Sequence, residues 1–207
     1  MRTYAFIDAS NLFYGGEKSL GWKIDYEKLL KYLKEKYEVE KAFYFGGVEI
    51  HGFGYNYLEN DSVPLNPLKE YLENLLDESS ESKKLVIQTH LQRVKFYIRL
   101  DKFGYKLFLK PVKLYDKEDG SAKRKANCDV DMAFRLMKEK NNFERAIILS
   151  GDGDFLPVLK YLQNNEKKEV VILARGPRAA KEIRQFAGSK FLDFTRLKHK
   201  LSFEEKK

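Results

Sequence analysis

Between residues 146 and 192 the chain alternates short apolar runs with stretches of helical spacing, and no other feature limits its fold so tightly. The runs are Ala146-Ile147-Ile148-Leu149, Val170-Val171-Ile172-Leu173 and Lys190-Phe191-Leu192, separated by helical patterns at 155–164 and 178–187. A strand that is apolar at successive positions has no wet face, so its sheet must be covered on both sides. Strand, helix and strand in regular order supply that cover through the crossovers. The expectation is an α/β fold, a three-layer α/β/α sandwich on a mainly parallel sheet.

The first part of the chain adds to the same plan. Residues 3–7 form an apolar run that ends at Asp8, and a helix is expected to begin within 11–17. Tyr26, Leu29, Leu30, Leu33 and Tyr37 recur at helical spacing behind Asp25, a fitting N-cap. Ala42-Phe43-Tyr44-Phe45 with Val48 predicts a buried strand beside the first, closed by Gly46-Gly47. The stretch 51–84 is rich in turn and polar residues around one helix at 67–76, and reads as an insertion. A helix follows over 85–103, then a strand with one wet face over 106–114, a polar loop over 116–125 and a helix over 128–140 carrying Val130, Ala133, Phe134, Leu136 and Met137. A chain of 207 residues can bury one good core but is short for two. The expected organisation is one domain over 1–196 with the insertion at 51–84, and a charged C-terminal tail over 197–207.

Thirty-nine Lys and Arg against 31 Asp and Glu leave a formal charge of +8, which favours polyanionic partners, nucleic acid before membrane. The single Cys128 excludes an intrachain disulfide, and the scattered His51, His90 and His199 offer no Cys/His zinc cluster. The apolar run before Asp8 is too short for a signal-peptide core or a membrane span, so a soluble cytoplasmic protein is expected.

Ligands of open parallel sheets gather beyond the carboxyl ends of the strands. Asp8 follows one apolar run and Asp152 lies just past another, so both fall on that edge. In Ser150-Gly151-Asp152-Gly153-Asp154-Phe155 the glycines permit a sharp turn while two acids share one short loop. Like charges so close repel unless a cation or a proton lies between them. Asp154 is placed to cap the next helix, with Pro157 in its first turn, whereas Asp152 sits too early to cap and points to function. Asp129 lies in the first turn of its helix, where the dipole favours a carboxylate and Asn127 is a candidate cap. Ser10 or Asn11 suits a cap after Asp8, and Asn11 suits equally a role in orienting water or a phosphate. Carboxylates without histidine or thiolate make an oxygen-only set, which suits Mg²⁺ or Mn²⁺.

Other chemistries fail on particular residues. There is no Walker A sequence, and Gly52-Phe53-Gly54 lacks the third glycine and the helix of a dinucleotide site. A calcium loop starting at Asp152 would place Leu156 at its fifth position and Gln163 at its twelfth, where a bidentate Glu is needed. A phosphomonoesterase of the haloacid-dehalogenase type wants a second Asp two residues after the first, and Ser10 stands there, which weakens that chemistry but keeps it as a further alternative.

Four segments together resemble the NYN domains, specifically their LabA-like branch, relatives of the PIN nucleases. They are Phe6-Ile7-Asp8-Ala9-Ser10-Asn11-Leu12, Lys125-Ala126-Asn127-Cys128-Asp129-Val130-Asp131, Ser150-Gly151-Asp152-Gly153-Asp154-Phe155, and the closing strand–helix unit to Phe191. The resemblance implies a PIN-like sandwich in which Asp8, Asp129 and Asp152 meet around Mg²⁺ or Mn²⁺, with Asp154 beside them and Asn11 on the rim. It implies a ribonuclease that hydrolyses RNA phosphodiester bonds without a covalent intermediate.

Lys123, Arg124, Lys125, Arg175 and Arg178 are candidates to grip RNA phosphates, with a solvated basic surface as the plain alternative. Tyr14, Trp22, Phe53, Tyr55 and Tyr57 are candidates to stack unpaired bases, with ordinary packing as theirs. The expected partner is RNA, single-stranded or structured, with no membrane and with room for a homo-oligomer. The rival from another class is a non-catalytic RNA-binding or regulatory module that keeps the acidic pocket, since a fold does not establish activity.

Overall fold

The computed structural model describes residues 1–12, 21–56, 58–116 and 122–204, and for 114–116 and 122–125 the backbone alone. The chain divides into two compact units, Met1–Phe45 with Asp129–Lys207, and Gly46–Cys128. The second unit takes in 51–84 together with both flanks.

The first unit begins with β1 (Thr3–Asp8), α1 (Ala9–Leu12), α2 (Tyr26–Tyr37) and β2 (Val39–Val48), whose last residues enter the second unit. It resumes with α5 (Asp129–Glu139), β6 (Arg145–Leu149), α6 (Leu156–Asn164), β7 (Glu169–Ala174), α7 (Lys181–Ala187), β8 (Phe191–Asp193) and α8 (Lys198–Leu201). Between them, in the second unit, run α3 (Leu65–Glu78), α4 (Glu81–Phe103), β3 (Tyr105–Pro111), β4 (Lys113–Asp116) and β5 (Ala122–Lys125). The main sheet has six strands in the order β3-β2-β1-β6-β7-β8. The pairs β1–β2, β1–β6, β6–β7 and β7–β8 are all parallel, so the predicted α/β architecture with a mainly parallel sheet is the one observed.

The apolar runs are buried as their composition requires. Ala5, Phe6, Ile7, Ile147, Ile148, Leu149, Ile172 and Leu173 are fully covered. Phe6 stacks on Phe43 with centroids 5.1 Å apart and meets Phe143 edge-on at 5.7 Å, which ties β1 to β2 and to the turn before β6. Helix α2 starts where predicted, because the Asp25 carboxylate accepts from the Glu27 and Lys28 amides at 3.0 Å each. Register then sets the site: Ile7 lies opposite Leu149 and Asp8 opposite Phe45, so Asp8 leaves the sheet level with the end of β6.

In the second unit α3 packs against α4, burying Leu68, Leu72, Leu91 and Val94. Gly104 ends α4 at φ 105°, a conformation glycine adopts without strain. Tyr97 donates to the Gly47 carbonyl at 2.8 Å, and a Cβ on Gly47 would stand 2.5 Å from the Ala126 methyl.

Several expectations change. The strand expected over 106–114 is two strands, broken after Pro111, whose ring cannot donate to a ladder. Part of the expected loop 116–125 is β5, the antiparallel partner of β4. The helices expected from 67 and 85 begin at Leu65 and Glu81, and the one expected from 178 begins at Lys181. Val130 and Phe134, grouped with the apolar face of α5, point outward, while Met132 and Leu136 are buried. The helix after Asp8 is described as far as Leu12, and the rest of the segment expected to be helical lies outside the described residues. At the other end, the Asp25 amide donates to the carbonyl of the buried Leu201 at 2.8 Å, so α8 packs on the domain. Among the described residues no helix is long and apolar enough to cross a membrane.

Candidate active site

Asp8 is the last residue of β1 and only 4% exposed, a burial that a carboxylate tolerates only when its oxygens find donors. Its Oδ1 accepts from the Ser10 amide at 2.9 Å, the Ser10 hydroxyl at 2.6 Å and the Asn11 amide at 3.2 Å. Its Oδ2 accepts from the Ser150 hydroxyl at 3.0 Å. The chain therefore turns from β1 into α1 around the carboxylate itself. Ser10 binds Asp8, and Asn11 reaches across the sheet, its Oδ1 accepting from the Gly151 amide at 3.2 Å.

Ser150, 2% exposed, connects the two strand ends. Its hydroxyl donates to Asp8 and accepts from the Asp152 amide at 3.2 Å. Asp152 in turn accepts from the Asp154 amide at 3.0 Å and is the N-cap of a 3₁₀ turn, Gly153–Phe155, that precedes α6. This reverses the expected division of labour. Asp152 caps and Asp154 does not: the turn starts two residues before the predicted helix, which leaves the Asp154 carboxylate exposed, and Phe155 opens α6 without a side-chain cap.

The loop after β7 closes over the same edge. The Arg178 and Ala179 amides donate to the Arg175 carbonyl at 3.0 and 2.9 Å, and the Ala180 amide donates to the Gly151 carbonyl at 2.9 Å. A Cβ on Gly151 would lie 2.8 Å from the Ala179 Cα, so only glycine fits there. Gly176 is held from β8, its amide donating to Asp193 Oδ1 at 3.2 Å. The Thr195 amide and hydroxyl donate to the same oxygen at 2.9 Å each. Burial alone pushes the Asp193 carboxyl up, but these hydrogen bonds and the Arg196 charge outweigh it and hold the group below the usual aspartate range.

The structure thus brings Asp8, Asn11, Asp152 and Asp154 to one edge. Asp129 opens α5, which packs on β1 and on the 3₁₀ turn. Arg175 and Arg178 lie on the loop that backs Gly151. Lys123, Arg124 and Lys125 form β5 in the other unit. Trp22 lies parallel to Phe194 with centroids 5.9 Å apart, Phe53 packs on Tyr71 at 5.6 Å, and the Tyr55 hydroxyl donates to the Asn60 carbonyl at 2.6 Å. Tyr14 and Tyr57 are outside the described residues. Sequence reasoning did not single out Ser150, Asp193 or Glu182; the Glu182 carboxylate covers Gly153, where a Cβ would stand 2.4 Å from its Oε1. The glycine that precedes an exposed acid was the available signal for Glu182, and a strand-end position was the signal for Asp193.

The donors are carboxylate, amide and hydroxyl oxygens, which suits a hard divalent cation in type. Among the described residues no three His, Cys, Asp or Glu side chains stand as a ready group for a metal ion, so Asp8, Asp129 and Asp152 would have to draw together to hold one.

A parallel sheet with this strand order, a buried aspartate ending the first strand and a Ser-Gly-Asp-Gly-Asp loop ending its neighbour define the class, and the chain belongs to the NYN domain family, which it matches over residues 2–197. It is similar to the low amplitude and bright protein LabA of Synechococcus elongatus, at 23% identity over 99% of this chain and 88% of that protein. The expected LabA-like branch agrees with that similarity. Among solved structures, a Vibrio parahaemolyticus protein of unknown function shares the fold, with a TM-score of 0.55 and 17% identity over 89% of this chain and 88% of that one. The bacteriophage T5 D15 protein, co-crystallised with metal ions, superposes more loosely, with a TM-score of 0.45 and 15% identity over 89% of this chain and 59% of that one.

Proposed function

We propose that the protein is a ribonuclease that hydrolyses RNA phosphodiester bonds with Mg²⁺ or Mn²⁺, and that Asp8, Asn11, Asp129, Asp152 and Asp154 form its active site. The observation that carries this reading is the continuous link from Asp8 through Ser150 to Asp152 across adjacent strand ends. It keeps a buried carboxylate and a partly exposed one at the edge where such sheets bind ligands. Membership of the NYN family supports the same reading.

Asp8, Asp152 and Asp129 are the residues that would hold the ion. When bound, a divalent ion neutralises the scissile phosphate and lowers the pKa of an attacking water. Asp8 contributes a carboxylate fixed in position, since hydrogen bonds hold both its oxygens. Asn11 has its carbonyl committed to Gly151, which leaves its amide nitrogen to orient water or a phosphate oxygen. Arg175 and Arg178, and Lys123, Arg124 and Lys125 of β5, are proposed to bind the RNA backbone. A cytoplasmic location fits this activity.

The second reading is a non-catalytic RNA-binding or regulatory module that keeps the acidic pocket, since a fold by itself does not establish activity. One experiment separates them: end-labelled RNA incubated with Mg²⁺, Mn²⁺ or EDTA, alongside Asp152→Asn. The nuclease reading expects cleavage with either ion, none in EDTA, and a loss in the variant. RNA bound but left intact under both ions overturns it in favour of the module, and cleavage of phosphomonoesters alone would return the phosphatase.

A further inference from the structure

Two histidines that lie 39 residues apart in the chain meet within the second unit. His51 Nε2 and His90 Nδ1 face each other in hydrogen-bond contact, and the ring centroids are 4.7 Å apart with the planes tilted by 38°. Both side chains are half-buried, so an ion can reach them from solvent.

Each ring is presented by a segment that is fixed on its own account. His90 sits on α4 between Ile87 and Leu91, whose burial sets the rotation of the helix. His51 lies in a turn in which the Phe53 amide donates to the Ile50 carbonyl at 2.8 Å. Its own carbonyl accepts from the Tyr71 hydroxyl at 2.8 Å, and Tyr71 also packs on Phe53 with centroids 5.6 Å apart. His51 is held at φ 48°, a left-handed conformation that is costly for a residue with a side chain and persists only where its surroundings impose it.

The chemistry open to two convergent imidazole nitrogens is narrow. They can share one proton, or both can give a lone pair to one cation, and neutral imidazole suits Zn²⁺, Cu²⁺ and Ni²⁺ where Mg²⁺ prefers oxygen. A lone hydrogen bond between neutral rings returns little in water, too little to account for a histidine held left-handed, whereas bonds to a metal return far more. Around a tetrahedral zinc two such nitrogens, each about 2.0–2.1 Å from the ion, stand about 3.3 Å apart. Small rotations of the two side chains open the pair to that spacing, and water completes the coordination.

We infer that His51 and His90 bind one transition-metal ion of the zinc type, which staples the turn after β2 to the middle of α4. Closing the chain between these residues around α3 stabilises the second unit as the ion is taken up. The site differs from the carboxylate edge in its donors, nitrogen against oxygen, and the inference stands whether or not the nuclease reading does.

The test is calorimetric titration of the untagged full chain with Zn²⁺ in excess Mg²⁺, which occupies hard oxygen sites. The wild type should take up one ion per chain, and its melting temperature should rise with the Zn²⁺ concentration. His51→Asn, chosen because asparagine accepts the left-handed backbone, and His90→Gln should each weaken binding by at least the about 10- to 100-fold that loss of an outer partner costs, and abolish the thermal gain. His199→Gln, at the third histidine, should bind as the wild type does. Affinity should fall as the pH is lowered, because each nitrogen must be unprotonated to ligate. As a measurement that needs no variant, the electron paramagnetic resonance spectrum of the Cu²⁺-loaded protein should show coupling to two imidazole nitrogens. Absence of zinc uptake overturns the inference and leaves the pair an ordinary hydrogen bond; uptake that survives in both variants, or a copper spectrum without two imidazoles, overturns it as well. A dimer that forms only with Zn²⁺, seen by light scattering, assigns ligands to a second copy and sinks the staple within one chain.

Discussion

The Ser150 hydroxyl stands 3.0 Å from Asp8 Oδ2, so a serine on one strand end satisfies a buried carboxylate on the next. Asp8 ends β1 and Ser150 directly follows the neighbouring parallel strand β6, although most of the chain separates them in sequence. The Ser150 hydroxyl oxygen also accepts from the Asp152 amide.

Ser150→Ala removes both links at once. A buried acceptor losing its donor costs roughly 1–3 kcal/mol, and partners that orient a ligating group are worth about 10- to 100-fold in metal affinity or activity. Urea denaturation and Mn²⁺ titration calorimetry read the two effects. Ser150→Thr keeps the hydroxyl and should recover much of the metal response; if both variants titrate like the wild type, Ser150 does not organise the site.

Gly151→Ala should destabilise the protein by about 1–3 kcal/mol, the usual cost of overpacking. The new methyl would meet Ala179 backbone at 2.8 Å, which cannot rotate away. Gly54→Ala is the matched control, since nothing lies within 4 Å of its added Cβ. Similar melting temperatures for the two variants would contradict the close approach.

Asp25→Ala removes the acceptor for the Glu27 and Lys28 amides and should cost about 1 kcal/mol. RNA cleavage should be unchanged, because α2 contributes no residue to the proposed site. Urea midpoints and a cleavage assay on the same preparation check both halves.

Asp193 predicts a specific acid dependence. Its folded carboxyl titrates below the ordinary aspartate range, so its contribution is present above the unfolded value near about 3.9 and is lost as the pH falls through the folded one. Asp193→Asn should lower stability at neutral pH and flatten that part of the profile, with variant and wild type converging as the pH falls through the folded value. Denaturation series from neutral to acid pH measure it; identical slopes would show that Asp193 is not among the groups linking folding to protons.

Much of the fold was legible because it is written in local patterns. The runs at 146–149 and 170–173 are apolar at every position, so their burial and their parallel pairing followed directly. Asp8 and Asp152 were found by their place at strand ends. What escaped depends on neighbours distant in sequence or on backbone detail. The 3₁₀ turn at Gly153–Phe155 shifts the cap from Asp154 to Asp152, and no pattern of side chains records such a turn. Strand β5, Ala122-Lys123-Arg124-Lys125, has no apolar alternation and so reads as loop, although β4 pairs with it. Glu182 and Phe134 were invisible for the opposite reason: a carboxylate in a first turn and a ring in an amphipathic helix each have an ordinary explanation until their surroundings are known.

The order of the strands also has a consequence for biosynthesis. Asp8 is made before the second unit, but β6 and the Ser150 that follows it emerge only after the whole of that unit has been synthesised. Until then the nascent chain carries an Asp8 carboxylate without its Ser150 donor and a β1 edge without β6. Any activity that needs Asp8 and Asp152 together is withheld from the translating complex until β6 and the loop after it have emerged.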